Sequence, residues 1–199
     1  MLTVNGDRAV VERQLAGGEL SCPSCGGVLG GWGNAAERRV RVLGGADVRL
    51  VPRRSRCRGC GATHVLLPAR LLLRRADAAG VIGAALEAAA AGAGHRAIAG
   101  LLGRPPSTVR GWLRRFAGRA EPVRAFFTVL LARTGPDPVM PAGTAGLVAA
   151  AVSAIAGAAV AVAQRWPELG TVPVWTAASA ASGGLLIAPG WPGQGRNAS

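Results

Sequence analysis

Four cysteines are the residues of this 199-residue chain best suited to chemistry, and they fall in two matching runs, Cys22-Pro-Ser-Cys25-Gly and Cys57-Arg-Gly-Cys60-Gly. Two thiolates three positions apart, with Gly directly after the second, let a tight turn aim both sulfurs and nearby amides at one tetrahedral metal. Two such turns complete the coordination. With Cys22, Cys25, Cys57 and Cys60 as ligands the sphere is closed, so the metal is structural and leaves no position for an activated water. Zn2+ is the expected ion, with mononuclear iron the rarer choice for sulfur tetrahedra. A redox C-x-x-C or a set of buried free thiols would leave the duplication of the run unexplained. His64 lies four residues past Cys60 and can substitute as a ligand, but four sulfurs suffice, and it reads as a strand residue.

A second constellation runs from His95 to Phe116, HRAIAGLLGRPPSTVRGWLRRF. Ile98, Leu101 and Leu102 share one helix face, the small Ala99 marks a close approach between helices, and Gly103 supplies a left-handed turn. Pro105 and Pro106 fit the turn and the first turn of a following helix, which Ser107 or Thr108 can cap. That helix buries Val109, Trp112, Leu113 and Phe116 and leaves Thr108, Arg110, Gly111, Arg114 and Arg115 outside. This is the pattern of a helix-turn-helix, whose outer face enters the major groove. Thr108 and Arg110, near the helix start, are the residues placed for base edges, with Ser107 and Gly111 also counted among the DNA-binding residues. Arg104, Arg114, Arg115 and Arg119 are placed for phosphates. The competing reading is an ordinary helical hairpin with a solvated Arg face. Arg104 stands where many helix-turn-helix proteins have an apolar residue, and His95 is most simply an exposed residue at a helix start.

These side chains need elements to position them, and the periodicity supplies a sequence of them. Residues 20–68 are rich in Gly, Cys and Arg and read as a small β zinc ribbon. Val40 and Val42 alternate with Arg39 and Arg41, Gly44, Gly45 and Asp47 make a turn, and Val48 and Leu50 alternate with Arg49 and Val51. The result is a hairpin with one apolar and one basic face. Thr63 to Leu67 reads as a further strand, stopped by Pro68. From Ala69 to about Leu130 the period becomes helical, with Leu71, Leu72, Val81, Ile82 and Leu86 on a buried face, Asp77 as a cap and Gly92 and Gly94 as breaks. Pro136, Pro138 and Pro141 read as a linker. The expected fold is therefore mainly α, with an N-terminal arm over 1–19, the ribbon over 20–68, a helix-turn-helix domain over 69–133, and over 134–199 the linker followed by an Ala/Gly-rich helical segment.

Charge divides the chain in the same place. The formal net charge of +13 is carried by Arg alone, for there is no Lys; residues 1–133 hold 21 Arg against 8 acids and residues 134–199 hold 2 against 2. A GC-rich genome explains the preference for Arg over Lys, but not why the charge stops near residue 133. A basic field draws polyanions by releasing their counterions, and the planar guanidinium suits phosphate and guanine. Double-stranded DNA is the expected partner, with no small-molecule substrate. The uncharged stretch 141–164 is long enough to span a bilayer. Its Ala and Gly content, poor in Leu, Ile and Phe, argues instead for a helix packed against the rest of the protein or a second copy. With no apolar secretory h-region at the start and cysteines in close pairs, a cytoplasmic, nucleoid-associated setting is expected. A homodimer would suit a small helix-turn-helix, because two half-sites commonly share the work.

Over residues 20 to 120, the run CPSCG, Arg-rich hairpin, CRGCG and IAGLLGRPPSTVRGWLRRF resembles the zinc-ribbon and helix-turn-helix portion of bacterial transposases. It is similar, more closely, to small actinobacterial helix-turn-helix proteins of unassigned function. The resemblance implies site-specific DNA recognition with the four Cys as ligands. Those transposases continue into a nuclease-like domain whose three carboxylates hold two metal ions. Here Glu121, Asp137 and Glu168 are the acids that follow the helix-turn-helix, each beside a Pro, so no enzyme is expected. The expected function is sequence-specific DNA binding, as a transcriptional regulator or as an accessory factor left from a mobile element. The alternatives are a protein-interaction adaptor built on the ribbon, or a regulator tethered to a membrane through 141–164.

Overall fold

The computed structural model describes residues 1–135 and 146–193. An N-terminal β region is followed by a helical region that contains the helix-turn-helix, as the change of period predicts. The Pro136, Pro138 and Pro141 linker lies outside the described residues.

The chain begins with β1 (Leu2–Val4) and α1 (Arg8–Ala16), then β2 (Leu29–Asn34), β3 (Arg38–Val40), β4 (Val48–Leu50), β5 (Arg53–Cys57) and β6 (Thr63–Pro68). Strands β1, β6, β5 and β2 form one sheet in that order, with β1 parallel to β6 and the others antiparallel. Residues 1–19 are thus not a loose arm. Asp7 caps α1 by accepting the Ala9 amide at 2.8 Å. Val11 and Leu15, one helical turn apart, pack with Val4, Leu29, Leu66 and the two buried cysteines into a small core of their own.

Strands β3 and β4 make the expected hairpin, with Val40 opposite Val48 and Arg39 opposite Arg49. Its apolar face packs elsewhere than on the ribbon: Val40, Val42 and Leu50 join the core of the helical region. The hairpin is therefore an excursion from the ribbon that leans on the helices.

The helical region comprises α2 (Ala79–Ala90), α3 (His95–Leu102), α4 (Pro106–Ala117), α5 (Ala120–Thr134), α6 (Leu147–Arg165) and α7 (Val174–Ala181). Helix starts at Ala79 and not at Ala69, because the preceding backbone is claimed by other segments. Leu73 N donates to Gly184 O at 2.7 Å, while Arg41 N donates to Ala76 O and Ala78 N to Arg41 O, both at 2.8 Å. Leu71 and Leu72 are buried as the pattern requires, but from this irregular segment. Asp77 does not cap α2 either. Ala78 takes the N-cap position without a side-chain bond, and the buried Asp77 carboxylate is occupied by two arginines instead.

One continuous core joins α2 to α7. Val81, Ile82 and Leu86 meet Val109, Trp112 and Phe116, then Phe127 and Leu131 of α5, and an Ala stripe of α6 with Ile155 at its centre. The stripe is Ala151, Ala154, Ala158 and Ala161, so small side chains allow α5 and α6 to approach closely. By length and composition α6 could cross a membrane; one face of it is committed to this core. Trp175 of α7 fills the notch left by the missing side chain of Gly83, and its indole donates to Glu87 at 2.7 Å.

Candidate metal centre and nucleic-acid interface

The two cysteine runs fold as near copies. Gly26 N donates to Cys22 O at 2.8 Å and Gly61 N to Cys57 O at 3.1 Å. Gly26 and Gly61 take φ of 72° and 73°, a left-handed conformation that favours Gly and explains its place after the second cysteine of each run. Backbone amides also point at sulfur: Ser24 N lies 3.4 Å from Cys22 Sγ and Cys60 N 3.5 Å from Cys57 Sγ.

All four sulfurs lie within 4.8 Å of one another. Cys22 to Cys60 is 3.8 Å and Cys25 to Cys57 is 3.5 Å. A tetrahedron of thiolates about a zinc ion, with bonds of ~2.3 Å, has edges of ~3.8 Å. The cluster therefore has the size and donor set of a four-cysteine metal site. Gly27 helps to keep it open, since a Cβ there would stand 3.1 Å from Cys57 Sγ.

Electrostatics divides the thiols. The Ser24 amide outweighs burial and lowers Cys22 to about 5, and the Cys60 amide likewise lowers Cys57. At Cys25 the Gly27 amide pulls down, but crowding by the sulfurs of Cys60 and Cys57 prevails and lifts the thiol to about 11. Four thiolates this close repel one another unless a cation sits among them. His64 is on β6 as expected. It is buried, its Nε2 is 3.3 Å from Cys22 Sγ, and it stands beside the four-sulfur cluster as a neighbour of one ligand.

The second constellation closes as a turn between two packed helices. Gly103 has φ 60° and ψ 41°, Arg104 N donates to Ala99 O at 3.0 Å and Gly103 N to Gly100 O at 3.3 Å. This paired closure is the Schellman motif. Ala99 and Ile98 are buried on α3, and Val109, Trp112 and Phe116 on α4. Residues 72–124, which take in α2, α3, α4 and the start of α5, match the family model described as a homeodomain-like domain. The chain carries a helix-turn-helix DNA-binding domain. No curated protein and no solved structure matches the chain.

Within the helix-turn-helix, α4 presents Ser107, Arg110, Arg114 and Arg115 to solvent, with Thr108 and Gly111 half-buried between them. Two expectations are corrected here, and two of the arginines are placed by the fold. Neither Ser107 nor Thr108 caps α4, since the helix begins at Pro106 with Pro105 before it, and proline's fixed φ starts the helix without a side-chain acceptor. Leu101 is 78% exposed, because the face of α3 centred on Ile98 turns it outward. Arg104, expected on a phosphate, has its Nε donating to Asp77 at 2.6 Å and its side chain only 15% exposed. Arg119 is also taken up by the fold, its guanidinium donating to the carbonyls of Trp191 and, at 3.1 Å, Pro192.

Two further arginines are not flagged by helical periodicity, and one of them, Arg75, stands near Arg115 of α4. Arg75 is pushed below the ordinary guanidinium range by burial and by the charge of Arg115. Arg38 of β3 is lowered by burial and donates to Arg75 O at 3.3 Å. Through Arg38 the hairpin adds positive charge beside Arg75. The alternation of Arg and Val over residues 38–42 is the signal of it in the sequence.

Proposed function

We propose that the protein is a sequence-specific double-stranded DNA-binding protein whose four cysteines hold a structural zinc ion, acting as a regulator or as a transposon-derived accessory factor by occupying its site. One observation carries the reading. The buried face of α4, Val109, Trp112 and Phe116, fixes the helix against α2 and α3, so that Ser107, Arg110, Arg114 and Arg115 project together from a rigid base. A recognition helix needs this combination of an anchored inner face and a free basic outer face. Arg110, close to the start of α4, is the residue for base edges; Arg114 and Arg115 are for phosphates, reinforced by Arg75. The zinc ion's role is architectural, since four sulfur ligands leave it no open position.

Selection of bound duplexes from a random library, followed by anisotropy titration of the winning site against salt, tests the proposal. Expected are a recurrent motif and a linear fall of log K with log salt. Binding indifferent to both sequence and salt would remove it.

A further inference from the structure

The four-stranded sheet has two unlike faces. On one, Leu29, Cys57 and Leu66 pack beneath Val11 and Leu15 of α1. Ser55 and His64, directly paired across β5 and β6, are buried on the same side. The other face carries Gly30 and Trp32 on β2 and Arg54 and Arg56 on β5, with Gly30 paired to Arg56. Trp32 is 50% exposed, and the Arg56 guanidinium lies 4.9 Å from the centre of its ring. A bulge between Gly31 and Asn34, with Gly33 at φ 74°, turns the strand at this point, a device that re-aims a side chain.

Between Trp32, Arg56 and Arg58 is an open hollow of about 530 Å3 that Gly30, Gly31, Gly59 and Gly61 also line. No acidic side chain lines it among the described residues. An indole plane, guanidinium groups on the same surface and an open glycine-lined hollow between them are the parts of a base-stacking platform. Unpaired bases offer a free π-face, whereas a duplex keeps its base faces inside the stack. An acidic protein segment would satisfy the arginines but would have no use for the ring.

We propose that this face binds single-stranded DNA, with an unpaired base stacked on Trp32 and the adjoining phosphates held by Arg54, Arg56 and Arg58. The platform lies on the ribbon sheet, uses no residue of α4, and does not rest on the duplex reading above. It gives the ribbon a binding role of its own, suited to DNA that is locally opened beside a duplex site.

The test uses the full chain loaded with zinc and a labelled oligothymidylate of about 15 nucleotides, within the span that such platforms cover. Trp32→Ala should weaken its binding about 5- to 150-fold, the range for losing one base stack, while Trp32→Phe keeps most of the affinity. Arg56→Ala should weaken it and reduce the salt slope by about one. Affinity for a blunt duplex should be unmoved by Trp32→Ala, and Arg110→Ala should leave single-strand binding unchanged, which separates failure here from failure of the helix-turn-helix assignment. Photocross-linking of the wild-type protein to a 5-bromouracil oligonucleotide gives a readout independent of any variant, with the adduct expected on the peptide that carries Trp32. Unchanged oligothymidylate binding by Trp32→Ala, equal losses on single strand and duplex, or adducts confined to residues 104–119 would each overturn the proposal.

Discussion

Arg104 and Arg110 flank the start of α4, both on the basic side of the sequence pattern, yet they have opposite employments. Arg104 is held by Asp77, whose side chain is 5% exposed and also bonds Arg41 at 3.3 Å, so this triad pins the hairpin to the turn of the helix-turn-helix. Removing one arm of a buried ion pair strands charge in a poorly solvated place. Arg104→Ala should therefore cost on the order of 2–3 kcal/mol in urea unfolding, somewhat under the roughly 3–5 kcal/mol of a wholly abandoned partner, because Arg41 remains. The salt slope of DNA binding should stay as in the wild type; a slope reduced by about one would instead show Arg104 on a phosphate. Arg110→Ala should do the reverse, leaving the unfolding midpoint in place while costing about 1–3 kcal/mol on the preferred duplex and relaxing preference at one base position. Equal losses on preferred and scrambled duplexes would reassign Arg110 to the backbone. The sequence does not tell these arginines apart. Helical position says which way a side chain sets out, but the acid that captures Arg104 lies 27 residues earlier, and no local pattern reports that encounter.

At the scale of elements, legibility follows how local the determining contacts are. The cysteine runs, Gly103, the buried faces of α3 and α4 and the β3–β4 hairpin are set by neighbours within a few residues, and their spacing announces them. Strands β1, β2 and β5 and helix α1 carry no such announcement. LGGWGN and RRSRC lack clear alternation, and their strand state comes from pairing with each other and with β6, contacts distant in sequence. The start of α2 is hidden for the same reason, since Leu71 and Leu72 are apolar for a core reached without a helix. Two predictions belong here. Cys60→Ser should bring the zinc content of purified protein from one per chain to near none, and chelation of the wild type should dissolve the ribbon's strand signal while helical ellipticity survives, because no cysteine enters the helical core. Metal retained by Cys60→Ser would contradict a four-sulfur site. Gly83→Ala places a methyl within the Trp175 ring. The ~1 kcal/mol that Ala gains over Gly in a helix only partly offsets displacement of α7, so with an overpacking penalty at the upper end of its range a net loss of about 2 kcal/mol is expected. Relief by adding Trp175→Leu would confirm the cause, whereas a stabilised single variant would disprove the contact.

On the scale of the whole molecule, the chain has two cores, and their membership does not follow the charge boundary near residue 133. The ribbon core is small and shares its sheet with the cysteines. The larger core draws Val40 from the hairpin, α2 to α5 from the basic part of the chain, and Ala151, Ile155, Trp175, Leu186 and Ile187 from the net-neutral C-terminal part. The C-terminal segment is thus the covering layer of the helix-turn-helix domain, with Ser179 donating to Leu71 O at 2.8 Å and Arg119 reaching back to Trp191 and Pro192. Composition suggests a separable appendage because charge and solvent exposure change together there, but burial obeys apolar area and is indifferent to which half supplies it. A chain ending at residue 135 makes the difference measurable. It retains every residue of the matched span 72–124 and every exposed arginine of α4. It loses the side chains that cover Phe127, Leu131 and the Gly83 face of α2. If recognition needed the local motif alone, this fragment would bind duplex DNA like the parent. Since the motif is held rigid by a core that α6 and α7 complete, the fragment should lose its cooperative thermal transition, expose enough apolar surface to bind a hydrophobic dye, and lose salt-sensitive, sequence-selective binding together with its fold. A fragment that melted sharply and kept the parent's selectivity would show that the uncharged helices cover a domain already stable without them.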